Sequence, residues 1–255
     1  MSALTEHPIL LLLVSFAVLC LSAWIGTIGF KRLRTEAASL HEDFAVVQGA
    51  TLTLLGLIIG FTFSMALTRY DQRKNYEEEE ANAIGTEYVR ADLLPEADAA
   101  KVRALLLSYV EQRVAFYTTR DEQELDAISA RTAKLQGALW SAVQGAATAK
   151  PTPVMALVVA GMNDVLNSQG YTQSAWLNRI PAGAWSLMGA IAVCATLLVG
   201  VGARDGRASR GLLVILPLVL SIAFFLIADI DSPRRGVIHV APINLHGLSK
   251  SLRVQ

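Results

Sequence analysis

Residues Phe44–Arg90 read FAVVQGATLTLLGLIIGFTFSMALT and continue without a break into RYDQRKNYEEEEANAIGTEYVR. The first part, Phe44 to Thr68, is 25 residues long and carries no charge. At 1.5 Å per residue such a run crosses a hydrocarbon core of roughly 30 Å. The second part is strongly charged, yet it holds no proline, and only Gly85 interrupts a composition rich in Glu, Ala, Arg and Asn. The pattern predicts a single helix from about Phe44 to Leu94. It ends before Pro95, because a proline disfavours helical backbone at the residue preceding it. A helix of that length measures about 75 Å, so about half of it projects into water.

Three more uncharged, largely apolar runs flank this helix: Ile9–Phe30, Ile180–Ala203 and Gly211–Ala228, of 22, 24 and 18 residues. Together the four runs predict an all-α, polytopic membrane protein with four transmembrane helices and a cytosolic helical bundle between spans 2 and 3. The expected organisation is spans 1 and 2 in residues 1–68 and a helical region continuing helix 2 in 69–179. Spans 3 and 4 follow in 180–230 and a C-terminal tail in 231–255. Met1 to Pro8 contains Glu6 and no lysine or arginine, and the run behind it is longer than a signal-peptide core. A retained first helix is expected.

Composition narrows the function classes. The chain has 22 basic and 22 acidic residues, so no nucleic-acid footprint is indicated. Its two cysteines, Cys20 and Cys194, both fall inside predicted spans, which excludes a disulfide framework. His7, His41, His239 and His246 are scattered, without metal-ligand spacing. No nucleophile–base set, Gly-rich phosphate loop or HExxH pair is present, so neither an enzyme nor a cofactor or metal site is expected.

The stretch from Thr68 to Lys150 holds eleven basic and fourteen acidic residues, and its apolar positions recur at helical spacing. Val102, Leu105, Leu106, Tyr109, Val110, Arg113 and Phe116 form one stripe. Leu125, Ile128, Leu135, Leu139 and Val143 form another. Helices are expected over Glu96–Thr118, Asp121–Thr148 and Pro153–Ser168, the last as a core helix too short in its apolar part to cross a bilayer. Trp176 and Trp185 bracket the start of the third span as expected interfacial anchors, with Pro181 in its first turn. Four spans put both termini and the centre on one side. Arg69, Arg73, Lys74, Arg179, Arg234, Arg235, Lys250 and Arg253 lie there, against Lys31, Arg32, Arg34, Arg204, Arg207 and Arg210 opposite. This bias, with the cysteine-poor centre, favours cytoplasmic termini.

Candidate functional residues concentrate on the second span. Gly56 and Gly60 have the spacing that lets another helix approach closely. Thr51 and Thr62 share a face, and Gly60, Ser64, Leu67 and Asp71 trace another at i, i+4, i+7, i+11. The polar residues fit either hydrogen bonding between helices or a pore-lining face. In the second case Phe61, Phe63 or Leu67 would form an apolar constriction able to gate by dewetting. Beyond lie Glu77, Glu78, Glu79 and Glu80, then Asn82 and Glu87. Four consecutive acids cannot all enter a core. They form a solvated face or, around a symmetric axis, one or two rings that attract cations. After the fourth span, Asp229 and Asp231 need partners or water, and Arg234 and Arg235 are close enough in sequence to form a structural clamp with them. Pro217 is expected to kink that span.

Three segments carry a resemblance. They are the second span running through Arg69-Tyr70 into the acidic Glu77–Glu87 stretch, Asn178-Arg179-Ile180-Pro181 before the third span, and Asp229-Ile230-Asp231-Ser232-Pro233-Arg234-Arg235-Gly236 after the fourth. The chain resembles the bacterial bestrophin-like membrane proteins from the first span to about Leu248. The resemblance implies a homo-oligomeric ion channel in the bacterial inner membrane, a pentamer by analogy, with lipid and inorganic ions as its partners. It also implies a pore lined by the second helix, with Gly56–Leu67 at a neck and Glu77–Glu80 along a vestibule. The alternative is a non-conducting membrane-anchored scaffold or signalling protein.

Overall fold

The computed structural model describes residue 5 and residues 7–29, 41–203 and 207–254. The loop charges Lys31, Arg32, Arg34 and Arg204 and the N-terminal Glu6 lie outside them. The described residues form helices and no strand: α1 (Pro8–Gly29), α2 (His41–Arg90), a 3-10 turn (Ala91–Leu93), α3 (Glu96–Thr118), α4 (Glu122–Ala149), α5 (Pro153–Leu177), α6 (Ala182–Gly202), α7 (Arg207–Asp231) and α8 (Ile243–Leu252). Four stretches are long and apolar enough to cross a membrane. They are Pro8–Ile28, Asp43–Leu93, Pro153–Gly202 (in which α6 is the uncharged part) and Leu213–Asp231.

The chain divides into two compact units. The first comprises residues 1–70 and 179–239, which hold α1, the apolar half of α2, α6 and α7. Its core includes Leu19, Leu55, Ala66, Met188, Ala192, Ala195, Phe224 and Ile227. Small residues bring α1 against α6. A Cβ on Gly26 would strike the Leu197 carbonyl and sit 3.0 Å from the Cα of Gly200, and one on Gly200 would strike the Ala23 carbonyl. Ser22 Oγ donates to the Val193 carbonyl at 2.9 Å in the same seam. With no hydrophobic effect between helices in lipid, this close backbone approach and the buried hydrogen bond supply the attraction.

The second unit comprises residues 71–178 and 240–255, with the charged half of α2, α3, α4, α5 and α8. The α3 stripe is its centre: Val102, Leu106, Tyr109, Val110 and Arg113 are all essentially without exposure. Asp121 caps α4 by accepting from the Glu124 N–H at 2.9 Å, and Thr152 caps α5 by accepting from the Met155 N–H at 3.2 Å. Met155, Val158, Met162 and Val165 bury the apolar side of α5.

Three expectations are corrected. Helix α5 runs to Leu177 rather than Ser168, since no proline interrupts it and Asn178 ends it. Neither tryptophan is an interfacial anchor. Trp176 is buried against Phe116 and Tyr117, with ring centroids at 5.0 and 5.3 Å, and Trp185 is buried edge-on to Phe224. Aromatic area is worth more inside a core than at a surface when neighbouring rings are available. Finally, residues 243–252 are helical, where only a tail was expected.

The glycine seam yields a prediction. Gly26→Val or Gly200→Val lowers the stability of the purified protein by about 1–3 kcal/mol through overpacking. Gly49→Ala, where an added Cβ meets nothing within 4 Å, leaves it unchanged or slightly raised. Thermal melts of the three variants in one detergent decide it.

Candidate functional site

Helix α2 is continuous for 50 residues. Leu55, Thr62, Ala66, Arg73, Glu77, Glu80, Ile84, Glu87 and Ala91 on it and its 3-10 extension are all buried. They follow one another at intervals of three, four or seven, and Leu55 to Ala91 is ten turns at 3.6 residues per turn. One stripe along the helix is therefore covered. The opposite stripe is exposed: Thr53, Leu57, Gly60, Ser64 and Leu67 in the first unit, then Asp71, Asn75, Glu78, Asn82 and Thr86 in the second. Phe61 and Phe63 are 66% and 39% exposed, and stand about 80° to either side of the Gly60–Ser64 line.

The apolar part of α2 is also the barest of the four membrane stretches. Only 6% of its most apolar stretch is buried within the chain, against 28%, 39% and 44% for the others. Among the described residues, no atom comes within 4 Å of a Cβ built on Gly56 or Gly60, so none of the described helices packs there. The threonines are satisfied along their own helix. Thr51, Thr53, Thr62 and Thr68 donate to the carbonyls of Val47, Gly49, Ile58 and Ser64 at 2.7–2.9 Å. Interhelical hydrogen bonding is not what these four do. Thr51 is half-buried, nine residues and therefore half a turn away from the Gly60 azimuth.

The acidic run divides by helical phase. Glu78 and Glu79 are exposed, whereas Glu77 and Glu80 are 1% and 0% exposed. Glu77 accepts from Asn244 Nδ2 at 2.7 Å and from the Leu245 N–H at 2.9 Å, which ties α2 to the start of α8. Glu80 pairs with Arg113 of α3 in a charge-assisted hydrogen bond and accepts from Thr172 Oγ1 of α5 at 3.1 Å. The Arg113 guanidinium also lies 4.5 Å from the Phe116 ring. Burial alone would lower the Arg113 pKa, but the Glu80 charge and hydrogen bond more than offset it and hold the group above its ordinary value. Burial, reinforced by the Glu80 charge, likewise pushes the Tyr109 and Tyr117 hydroxyls far up. Glu87 is fully buried as well. Arg113 was the legible partner, a cation inside an apolar stripe. Thr172 and Asn244 carry no comparable signal in the sequence.

The basic residues beside the acids are similarly sorted. Arg73 is buried, with Nε donating to the Ala175 carbonyl at 3.4 Å. Arg69 meets Asp231 at 3.5 Å. Lys74 is exposed. In the last turn of α7, the two buried carboxylates bind backbone. Asp229 accepts from the Val237 and Ile238 N–H groups at 2.7 and 2.8 Å, and Asp231 accepts from the Ile180 N–H at 3.2 Å. Arg179 Nη1 donates to the Asp231 carbonyl at 3.2 Å. Arg235 meets His7 at 2.9 Å, and Arg234 is half-buried beside it in the chain. A Cβ on Gly236 would strike the Asp229 carbonyl, so the turn closes directly over the helix end. Among the described residues, no three His, Cys, Asp or Glu side chains converge as metal ligands.

The family profile of the Bestrophin-like domain matches residues 11–245. The chain belongs to the bestrophin-like family. Its fold is that of solved bacterial bestrophin homologues from Klebsiella pneumoniae. A point-mutated form superposes with a TM-score of 0.67 at 12% identity, over 94% of this chain and 97% of that one. A second mutated form gives 0.68 at 11% over 95% and 94%. The structure phased on zinc gives 0.65 at 12% over 94% and 95%. None of the curated proteins matches the chain.

The buried pair gives this bestrophin-like protein a clear test. Glu80→Ala strands the Arg113 charge in the core and destabilises by about 3–5 kcal/mol. Glu80→Leu combined with Arg113→Met recovers most of that loss. A double-mutant cycle on thermal melts measures the difference.

Proposed function

We propose that the chain is one subunit of a homo-oligomeric, passive ion channel whose pathway is lined by the exposed stripe of α2. The observation that carries this reading is the pairing of two properties on one helix. Its apolar half is left almost bare by its own subunit, and the bare side bears glycine, serine and threonine rather than a continuous row of large apolar residues. Lipid would satisfy an apolar face, but a small, polar face suits an axis shared with other copies. Family membership supports the same assembly, and five subunits are taken by analogy with bestrophins.

In this reading Gly56, Gly60 and Ser64 line the neck, and Phe61, Phe63 and Leu67 supply the apolar constriction. Glu78 and Glu79 form the charged rings, since Glu77, Glu80 and Glu87 are turned into the subunit. Exposed charge on this half of α2 is Asp71, Glu78 and Glu79 against Lys74, because Arg69 and Arg73 are occupied inside. The balance favours cations. Asp229, Asp231, Arg234 and Arg235 belong to the scaffold that fixes the end of α7. The second unit lies in the cytoplasm with both termini, and the membrane is the bacterial inner membrane.

Ion flux into proteoliposomes tests the proposal. The unmodified oligomer conducts, and Gly60→Trp or Ser64→Trp abolishes flux without changing the size of the particle on a sizing column. Glu78→Lys keeps flux but moves the reversal potential toward anions. Absence of flux from an intact oligomer, across several ions and both voltage signs, overturns the channel and favours a membrane scaffold.

A further inference from the structure

Glu87 is the one acid of the α2 stripe whose carboxylate oxygens are both buried without a hydrogen-bond partner. Its neighbours explain little of this in structural terms. Glu77 and Glu80 on the same stripe each accept hydrogen bonds from two residues. The nearest cation to Glu87 is Arg90 on its own helix, with Nη1 at 4.0 Å from Oε2, beyond hydrogen-bond reach. From α5, the backbone of Gly161 presses on the group. A Cβ there would collide with both Glu87 Oε2 and Arg90 Nη1. Around Gly161, α5 presents Val158, Met162 and Val165, all fully buried. The charged group on α5 that acts on Glu87 is Asp164, which repels its ionised form. Asp92, the next charge along the chain, is paired with Arg103.

A charged carboxylate in this place would accept no hydrogen bond and would have only Arg90, at 4.0 Å, to offset its burial. A neutral carboxylic acid fits. Burial, partly opposed by Arg90 and reinforced by Asp164, pushes the group up to about 8. We propose that Glu87 is a proton-operated latch: protonated, it holds α2 against α5 at Gly161, and its proton is lost as pH rises, freeing the two helices from one another. The latch is a property of the subunit and stands whether or not the oligomer conducts.

The sign follows from linkage. When α5 lifts away, Glu87 returns to an ordinary carboxylate that ionises near 4.5, while the closed form keeps its proton up to about 8. The closed state is therefore fully stabilised below the lower value and loses that stability as pH rises toward the upper one. Between them the opening equilibrium grows by about tenfold per pH unit, then levels off.

Two measurements on the full-length protein in detergent test the latch. Hydrogen exchange across Ala160–Val165, corrected for the intrinsic pH dependence of exchange, shows the rising opening equilibrium in the wild type between about pH 5 and 8. Glu87→Gln and the apolar Glu87→Met, which cannot ionise, show none. Infrared difference spectra of the wild type between pH 6 and 9 contain the loss of a protonated-carboxyl C=O band that is missing from Glu87→Gln. Equal exchange profiles for wild type and both variants overturn the latch. So does the absence of that band at pH 6, which would mean Glu87 is already ionised when packed.

Discussion

A helix of about fourteen turns that can bury only one of its sides governs this protein. The backbone of α2 satisfies its own hydrogen bonds, as any lipid-spanning segment must, so what remains to be decided is where its side chains go. Leu55, Thr62 and Ala66 turn inward in the first unit, and Arg73, Glu77, Glu80, Ile84 and Glu87 turn inward in the second. Within each unit the inward positions fix the phase of that unit's own length of the helix. The outward row from Thr53 to Thr86 follows automatically.

The chemistry of the two sides differs in a way that matters for function. Within the second unit two of the three inward acids are consumed as structural ties: Glu77 to α8, Glu80 to α3 and α5. Asp229 and Asp231 serve the same purpose at the end of α7, where they bind backbone N–H groups of the following turn and of the segment before α6. Charge that looks abundant in the sequence is therefore mostly spoken for. What is left facing out on the charged half of α2 is a sparse set, with Asp71, Glu78 and Glu79 as its acids. Mutating the acidic run as a block would confuse these two populations.

Much of the architecture was legible in the sequence. Hydropathy and length mark the spans, and the absence of proline between Thr68 and Arg90 marks the continuous α2. The stripe from Val102 to Phe116 marks α3 down to the buried Arg113. Phase was harder. The four consecutive glutamates give no hint by composition of which pair is buried, yet counting turns from Ile84 separates them. Partners supplied by distant segments were not legible at all: Thr172 and Asn244 come from α5 and α8, and α8 itself has only a short, weakly patterned sequence. The tryptophans misled for a related reason. A lone Trp near a span edge looks like an anchor until Phe116, Tyr117 and Phe224 are seen to enclose the two rings.

In the proposed channel the bare stripe of α2 faces water. Single cysteines placed from Leu52 to Thr68, in a background where Cys20 and Cys194 are replaced, can be probed with a membrane-impermeant, water-soluble thiol reagent. The account predicts reactivity with a helical period, highest at Leu57, Gly60, Ser64 and Leu67 and lowest at Leu55, Thr62 and Ala66. Protection of positions 60 and 64 from the aqueous reagent, in an oligomer of unchanged size, would contradict it.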